Sequence, residues 1–172
     1  MTTARITTLA DIPALLDLVD SAFRGERSRV GWTTEAHLLD GQRTDQAMLA
    51  DAVADPAQRI LLLEQAGALA GCVTVENRKH YGYVGMVSVR PDGQGAGTGR
   101  KLLEIAENFL RQEWGLTTAR MTVIAQRDEL IAWYERRGYM RTGETAPFPY
   151  GDARFGLPKR DDLFFVILEK FL

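Results

Sequence analysis

Residues Met86 to Gly99 read M-V-S-V-R-P-D-G-Q-G-A-G-T-G. An apolar, β-branched run ends at a proline, a glycine-rich loop follows, and Arg100-Lys101-Leu102-Leu103-Glu104-Ile105-Ala106 continues in a helical pattern. Glycine lacks Cβ, so Gly95, Gly97 and Gly99 permit backbone conformations that bare N–H groups to a ligand. The helix N-terminus that follows carries unpaired donors and roughly half a positive charge. Strand, loop and helix together predict a phosphate- or pyrophosphate-binding site.

Spacing separates the phosphate loops. The dinucleotide fingerprint requires G-x-G-x-x-G or a small last residue. Counting from Gly95 puts Arg100 there, and counting from Gly97 puts Leu102 there. The nucleotide-triphosphate loop requires G-x-x-x-x-G-K-[ST]. Gln94 stands where its first glycine belongs and Arg100 where its lysine belongs. The remaining pattern is Q-x-x-G-x-G at Gln94, Gly97 and Gly99, preceded by V-x-V-x-P at Val87, Val89 and Pro91.

That pattern resembles the GNAT family of N-acetyltransferases, and Trp133-Tyr134-Glu135-Arg136-Arg137-Gly138-Tyr139 is similar to the family's downstream Y-E-x-x-G-F/Y segment. The detailed likeness spans roughly residues 83 to 140. The resemblance implies an α/β fold with a mixed, mostly antiparallel central sheet flanked by helices, and a strand–loop–helix cofactor site. It implies acetyl-CoA as acyl donor. Val87, Ser88 and Val89 would lend their backbone to the pantetheine arm, and Gln94, Gly95, Ala96, Gly97, Thr98, Gly99 and Arg100 would hold the pyrophosphate. Tyr134 would be the general acid toward the leaving thiolate. Two positions depart from the family: Arg127 stands where many relatives have a cofactor-contacting asparagine, and Leu130 replaces a common alanine. Arg127 is carried forward as a cofactor contact through phosphate.

The general base is less marked. Tyr83 to Val89 contains no carboxylate, so Glu76, at the end of the preceding strand, is the nearest acid and the candidate; Glu26 and Glu35 lie in an irregular segment. Cys72 sits mid-strand without a histidine nearby in sequence and reads as a buried apolar residue, which disfavours an acyl-cysteine route. Direct transfer to a primary amine of a small molecule or peptide is the leading reading. A longer acyl-CoA, a hydroxyl acceptor and a non-catalytic acyl-CoA sensor are the alternatives. Residues 24 to 46, Tyr81, Tyr83, Phe148 and Tyr150 should wall the acceptor, with Arg24, Arg27, Arg29 and Arg43 available for a carboxylate or phosphate. His37 and His80 are isolated, without metal-ligand spacing, and Trp32 and Trp114 read as packing residues.

Composition narrows the class. A chain of 172 residues with 45% hydrophobic and 26% charged residues fits one domain over 1–172 with a real core. A net charge of -2 offers no broad attraction for nucleic acid or anionic membrane. One cysteine, no basic-then-apolar leader and no membrane-length apolar run lead to a cytoplasmic expectation. The family likeness adds a homodimer as a common state.

Apolar spacing predicts helices over 11–23, 44–54, 100–114 and 128–137, and strands over 60–63, 70–76, up to Val89, and 121–125. Residues 143–158, rich in proline, glycine and aromatics, are expected as a long loop. Leu163 to Leu168 is expected as a strand buried on both faces.

Overall fold

The structure, a computed structural model, describes all 172 residues. In chain order it contains β1 (Thr2–Ile6), α1 (Ile12–Phe23), α2 (Gly25–Ser28), β2 (Leu39–Asp40), α3 (Gln46–Ala54), β3 (Gln58–Gln65), β4 (Ala68–Asn77) and β5 (Gly82–Val89). There follow α4 (Thr98–Trp114), β6 (Thr118–Ile124), α5 (Asp128–Glu135), β7 (Met140–Pro147), β8 (Leu157–Pro158) and β9 (Phe164–Phe171).

Seven strands form one sheet in the order β1-β3-β4-β5-β6-β9-β7, while β2 and β8 make a separate two-stranded piece. All neighbours in the large sheet are antiparallel except β5 and β6. That pair is joined by the α4 crossover, which returns the chain in the same direction.

The run Ile60-Leu61-Leu62-Leu63 explains the layering. Successive strand side chains point to opposite faces, so Ile60 and Leu62 join a cluster with Leu15, Leu18, Val19 and Leu49 of α1 and α3. Leu61 and Leu63 join the larger cluster with Leu102, Leu103, Ala106 and Leu110 of α4. Each such leucine, fully buried, contributes about 1.5–3 kcal/mol of transfer free energy. The local signals agree with this packing: the Asp45 carboxylate caps α3 by accepting from the Met48 N–H at 2.8 Å, and Gly115, at φ +65°, ends α4.

Three expectations are corrected, and one strand was not anticipated. Residues 2–6 form edge strand β1, paired from Thr2↔Gln65 to Ile6↔Leu61; all five are exposed, so no alternation marked them. The expected 143–158 loop begins as strand β7, whose polar side chains and register shift between Arg141 and Thr145 hid its period. The last strand runs from Phe164 to Phe171, and within it only Leu168 is fully buried. Phe164 is 41% exposed, so the strand is not covered on both faces. The segment expected to be irregular over 24–46 holds α2 and β2.

Candidate active site

Strands β5 and β6 pair only at Gly82↔Ala119 and Tyr83↔Arg120, then part. The rest of β5 therefore faces a wedge instead of a neighbouring strand. Tyr83 and Thr122 join their hydroxyls at 2.8 Å across the mouth of this wedge. On the other side of β5, the ladder with β4 shifts register between Cys72 and Thr74, opposite Met86, which takes φ +51°. One extra residue is thus accommodated as a bulge, which re-aims the strand just before the glycine loop.

The glycines of the loop serve two purposes. Gly95 and Gly97 take φ +87° and +83° with nothing within 4 Å of an added Cβ, so the backbone conformation is the requirement there. Gly99 needs room: its Cβ would meet the Trp133 ring at 3.2 Å. The early N–H groups of α4 lie beyond Gly97, its N-terminal flanking residue. A cavity of about 190 Å³ opens here, lined among others by Trp32, Val87, Gly95, Gly97, Gly99 and Arg100.

Gln94 points elsewhere. Its Nε2 donates to Thr33 Oγ1 at 2.7 Å and to the Val89 carbonyl at 3.2 Å. Its Oε1 accepts from the Trp32 N–H at 2.8 Å. Gln94 is therefore a latch between the loop and residues 31–33, and a Cβ at Gly31 would lie 2.5 Å from Oε1 and displace the amide from these bonds. Arg100 is exposed and pairs with Glu104 at 2.9 Å. Ser88 is buried, with its hydroxyl donating to the Met86 carbonyl at 3.0 Å, so its side chain is turned inward. Trp32, read from sequence as a packing residue, and Arg137, not singled out at all, both line this cavity. Arg137 stacks 3.6 Å from the Trp133 ring centroid. Trp32 and Arg137 carried no sequence signal that distinguished them from core and surface residues.

A second cavity of about 460 Å³ fills the wedge. Thr33, Val87 and Leu130 line both cavities, so the two adjoin along one wall. Tyr134 and Glu76 both border the larger one. Tyr134 is 7% exposed, its ring edge-on to Trp133 and Tyr139, and burial pushes its phenol up to about 12. Glu76 is bonded to Arg78, with Nε 2.6 Å from its carboxylate.

Arg127, expected beside the cofactor, lines the larger cavity and not the glycine-loop cavity. Its guanidinium is 3.2 Å from Glu35 Oε2 and donates to the Thr33 carbonyl at 2.6 Å. The physical reason is Glu35, a buried carboxylate that also pairs with buried Arg24. Burial pushes the Glu35 carboxyl up, but Arg127 and Arg24 outweigh it and hold the group below the usual carboxylate range. Among the other expected wall residues, Tyr83, Phe148, Arg24 and Arg43 are present. Arg27 and Arg29 are drawn away to Asp17 at 2.8 Å and Glu26 at 2.9 Å. Tyr81 packs under Arg120, and the Tyr150 hydroxyl donates to the Arg160 carbonyl.

Cys72 is fully buried and burial pushes its thiol up to about 12, so it holds no thiolate near neutrality. No cluster of three or more His, Cys, Asp or Glu side chains is arranged to hold a metal ion, and no helix is long and apolar enough to cross a membrane.

A sheet splayed beside a bulged strand, a glycine loop opening a helix, and two adjoining cavities define an acyl-transfer scaffold, and the sequence matches it. The acetyltransferase (GNAT) family model matches residues 14–139, and the chain belongs to that family of acyltransferases. It is 29% identical over 114 residues to an IAA acetyltransferase of Azospirillum brasilense, covering 65% of this chain and 68% of that one. It is 38% identical over 93 residues to a mycothiol acetyltransferase of Streptomyces coelicolor, covering 53% of this chain but 29% of the relative. Among solved structures, yncA of Salmonella typhimurium with its cofactor acetyl-CoA shares the fold at TM-score 0.72 and 19% identity, over 100% of this chain and 94% of that one.

Proposed function

We propose that residues 1–172 act as one N-acetyltransferase domain, passing the acetyl group of acetyl-CoA directly to a primary amine of a small molecule or peptide within a ternary complex. The observation that carries this is the shared wall of Thr33, Val87 and Leu130, which brings a donor cavity and an acceptor cavity together beside the free stretch of β5.

In this reading the pyrophosphate rests on the N–H groups of residues 95–100, and the pantetheine arm adds to β5 as an extra strand at Val87–Val89. The amine attacks the thioester carbonyl: a C–N bond forms, the C–S bond breaks, and CoA leaves as the thiol. A β5 N–H meets the oxygen that becomes negative, a contact usually worth about 2.7–4 kcal/mol. Tyr134 supplies the proton to sulfur. Its phenol, raised to about 12, lies well above a thiol's ~8.5, so it acts by hydrogen-bonding the sulfur as the C–S bond breaks, with full transfer only in that step.

Glu76 takes the proton lost by the amine. Only Glu35 and Glu76 are carboxylates in the cavity wall. Glu35 is held low by two guanidiniums and is a poor base, which leaves Glu76. Initial velocities with both substrates varied should intersect, as a ternary complex requires. Parallel lines would indicate a covalent acyl-enzyme and contradict direct transfer. Tyr134→Phe should lower kcat by 10²–10³-fold with the KM for acetyl-CoA within about twofold; wild-type turnover would remove Tyr134 from the chemistry.

A further inference from the structure

The acceptor cavity has a charge imbalance. Arg24, Arg43 and Arg127 border it, against Glu35 and Glu76, and Glu76 is already paired with Arg78. Within the wall, Glu35 is thus the one carboxylate not already paired outside it, against three guanidiniums. Arg24 and Arg127 share it, with their side chains 5% and 8% exposed. Their remaining contacts are carbonyls: Arg24 reaches Phe155 O at 3.5 Å and Arg127 reaches Thr33 O at 2.6 Å. The Arg24 Nε is buried without any partner. Arg43 is half-buried, lies 5.8 Å from the Phe23 ring centroid, and has no carboxylate of the chain within ion-pair distance. Asp20 of α1, outside the cavity wall, accepts from the Arg43 backbone N–H and attracts Arg24, but makes no ion pair with the Arg43 guanidinium.

Burying unbalanced positive charge is costly, and a bound anion offsets that cost. The open planar fork of Arg43 matches a carboxylate in two-point geometry. The rest of that end of the cavity is apolar, with Phe148, Phe155 and Phe165 in its wall. Val87, Leu130 and Thr33 adjoin the donor cavity, and Thr33 ties this boundary to Arg127, which donates to its carbonyl at 2.6 Å.

Resting on the acetyltransferase reading above, we propose that the acceptor is a small amine carrying one carboxylate and an apolar body, a free α-amino acid with a large apolar side chain, whose carboxylate binds Arg43 beside the Arg24–Glu35–Arg127 cluster. The apolar body fills the phenylalanine-lined space and the amine is left toward β5. Arg24, Glu35 and Arg127 act as positioning residues: they fix the positive field and shape the pocket floor.

The test compares L-phenylalanine and L-leucine with 2-phenylethylamine and 3-methylbutylamine, which lack only the carboxylate, and with phosphoethanolamine, by CoA release from acetyl-CoA. The amino acids should exceed their decarboxylated partners at least tenfold in kcat/KM, as one charged hydrogen-bonded contact provides. Arg43→Gln should raise the amino-acid KM about tenfold or more, with the KM for acetyl-CoA and for 2-phenylethylamine within about twofold. A second readout needs no turnover. With CoA bound, 3-phenylpropionate should raise the unfolding midpoint of the wild type but not of Arg43→Gln.

Equal or better turnover of the decarboxylated amines, preference for phosphoethanolamine, or an Arg43→Gln enzyme that keeps its acid preference would each overturn the proposal. So would acetyl-CoA binding with no turnover of either amino acid, and in all these cases the acetyltransferase reading survives. Failure to bind acetyl-CoA at all would instead remove that reading, and this proposal with it.

Discussion

The two sides of the proposed site, donor and acceptor, are built from different materials. The donor side is main chain: a bulged strand, a loop with two glycines at positive φ, and a helix start, all within residues 82–100. The acceptor side is side chains gathered from α1, the 24–46 segment, β3, β4, β5, β6, α5, the 148–155 loop and β9. A backbone cradle recognises what every donor of the class shares and tolerates little change. A side-chain pocket can be rewritten residue by residue without disturbing the fold, and that is where function diverges on a shared scaffold.

If this contrast is right, the largest effect belongs to the backbone. Gly97→Val places a β-branched residue at φ +83°, where strain of about 1–3 kcal/mol must be met by moving the loop. Acetyl-CoA binding should weaken by a hundredfold or more while far-ultraviolet circular dichroism is retained. A variant that binds normally would show that loop conformation is not what holds the donor.

Gln94 joins the two sides, so it tests whether they are separable. Gln94→Ala removes three hydrogen bonds, to Trp32, Thr33 and Val89. It should raise the KM for both substrates several-fold and cost about 1–3 kcal/mol of stability, read by urea unfolding. An increase confined to one substrate would place the latch on that side alone.

The smallest effect is on alkaline stability. Cys72 and Tyr134 stay protonated in the fold to about 12, whereas in the unfolded chain they ionise near 8.5 and 10. The unfolded chain therefore binds fewer protons above about pH 8.5, and stability falls as pH rises toward 12. The Cys72 contribution is fully present below about pH 8.5. Urea midpoints measured from pH 8 to 11 should decline in the wild type and less steeply in Cys72→Ala. Equal slopes would show that the Cys72 thiol is not held protonated by the fold.

The strand, loop and helix of the proposed donor side were legible in the sequence because their determinants are contiguous: V-x-V-x-P and Q-x-x-G-x-G describe all three in one reading frame. Tyr134 was legible as a spacing, and it does border the wedge. The acceptor side was not legible, since Arg24, Glu35, Arg43 and Arg127 meet only through folding and nothing local distinguishes Arg24 from Arg27. Arg127 was assigned to the cofactor by its place in a motif, but the buried Glu35, 92 positions away, holds it in the other cavity. The missed strands fail for a related reason. Exposed edges such as β1 and the polar β7 bury too little to show a period of two.

The central claim is that the glycine loop of residues 94–99 holds CoA, and thermal unfolding with saturating acetyl-CoA, CoA, NAD or ATP in separate samples tests it most directly. Ligand at a hundred times its dissociation constant adds about 2.7 kcal/mol, which for a chain of this size raises the midpoint by roughly 5–10 °C. The account predicts that shift with acetyl-CoA and CoA and none with the other two. A shift with NAD or ATP alone would contradict it.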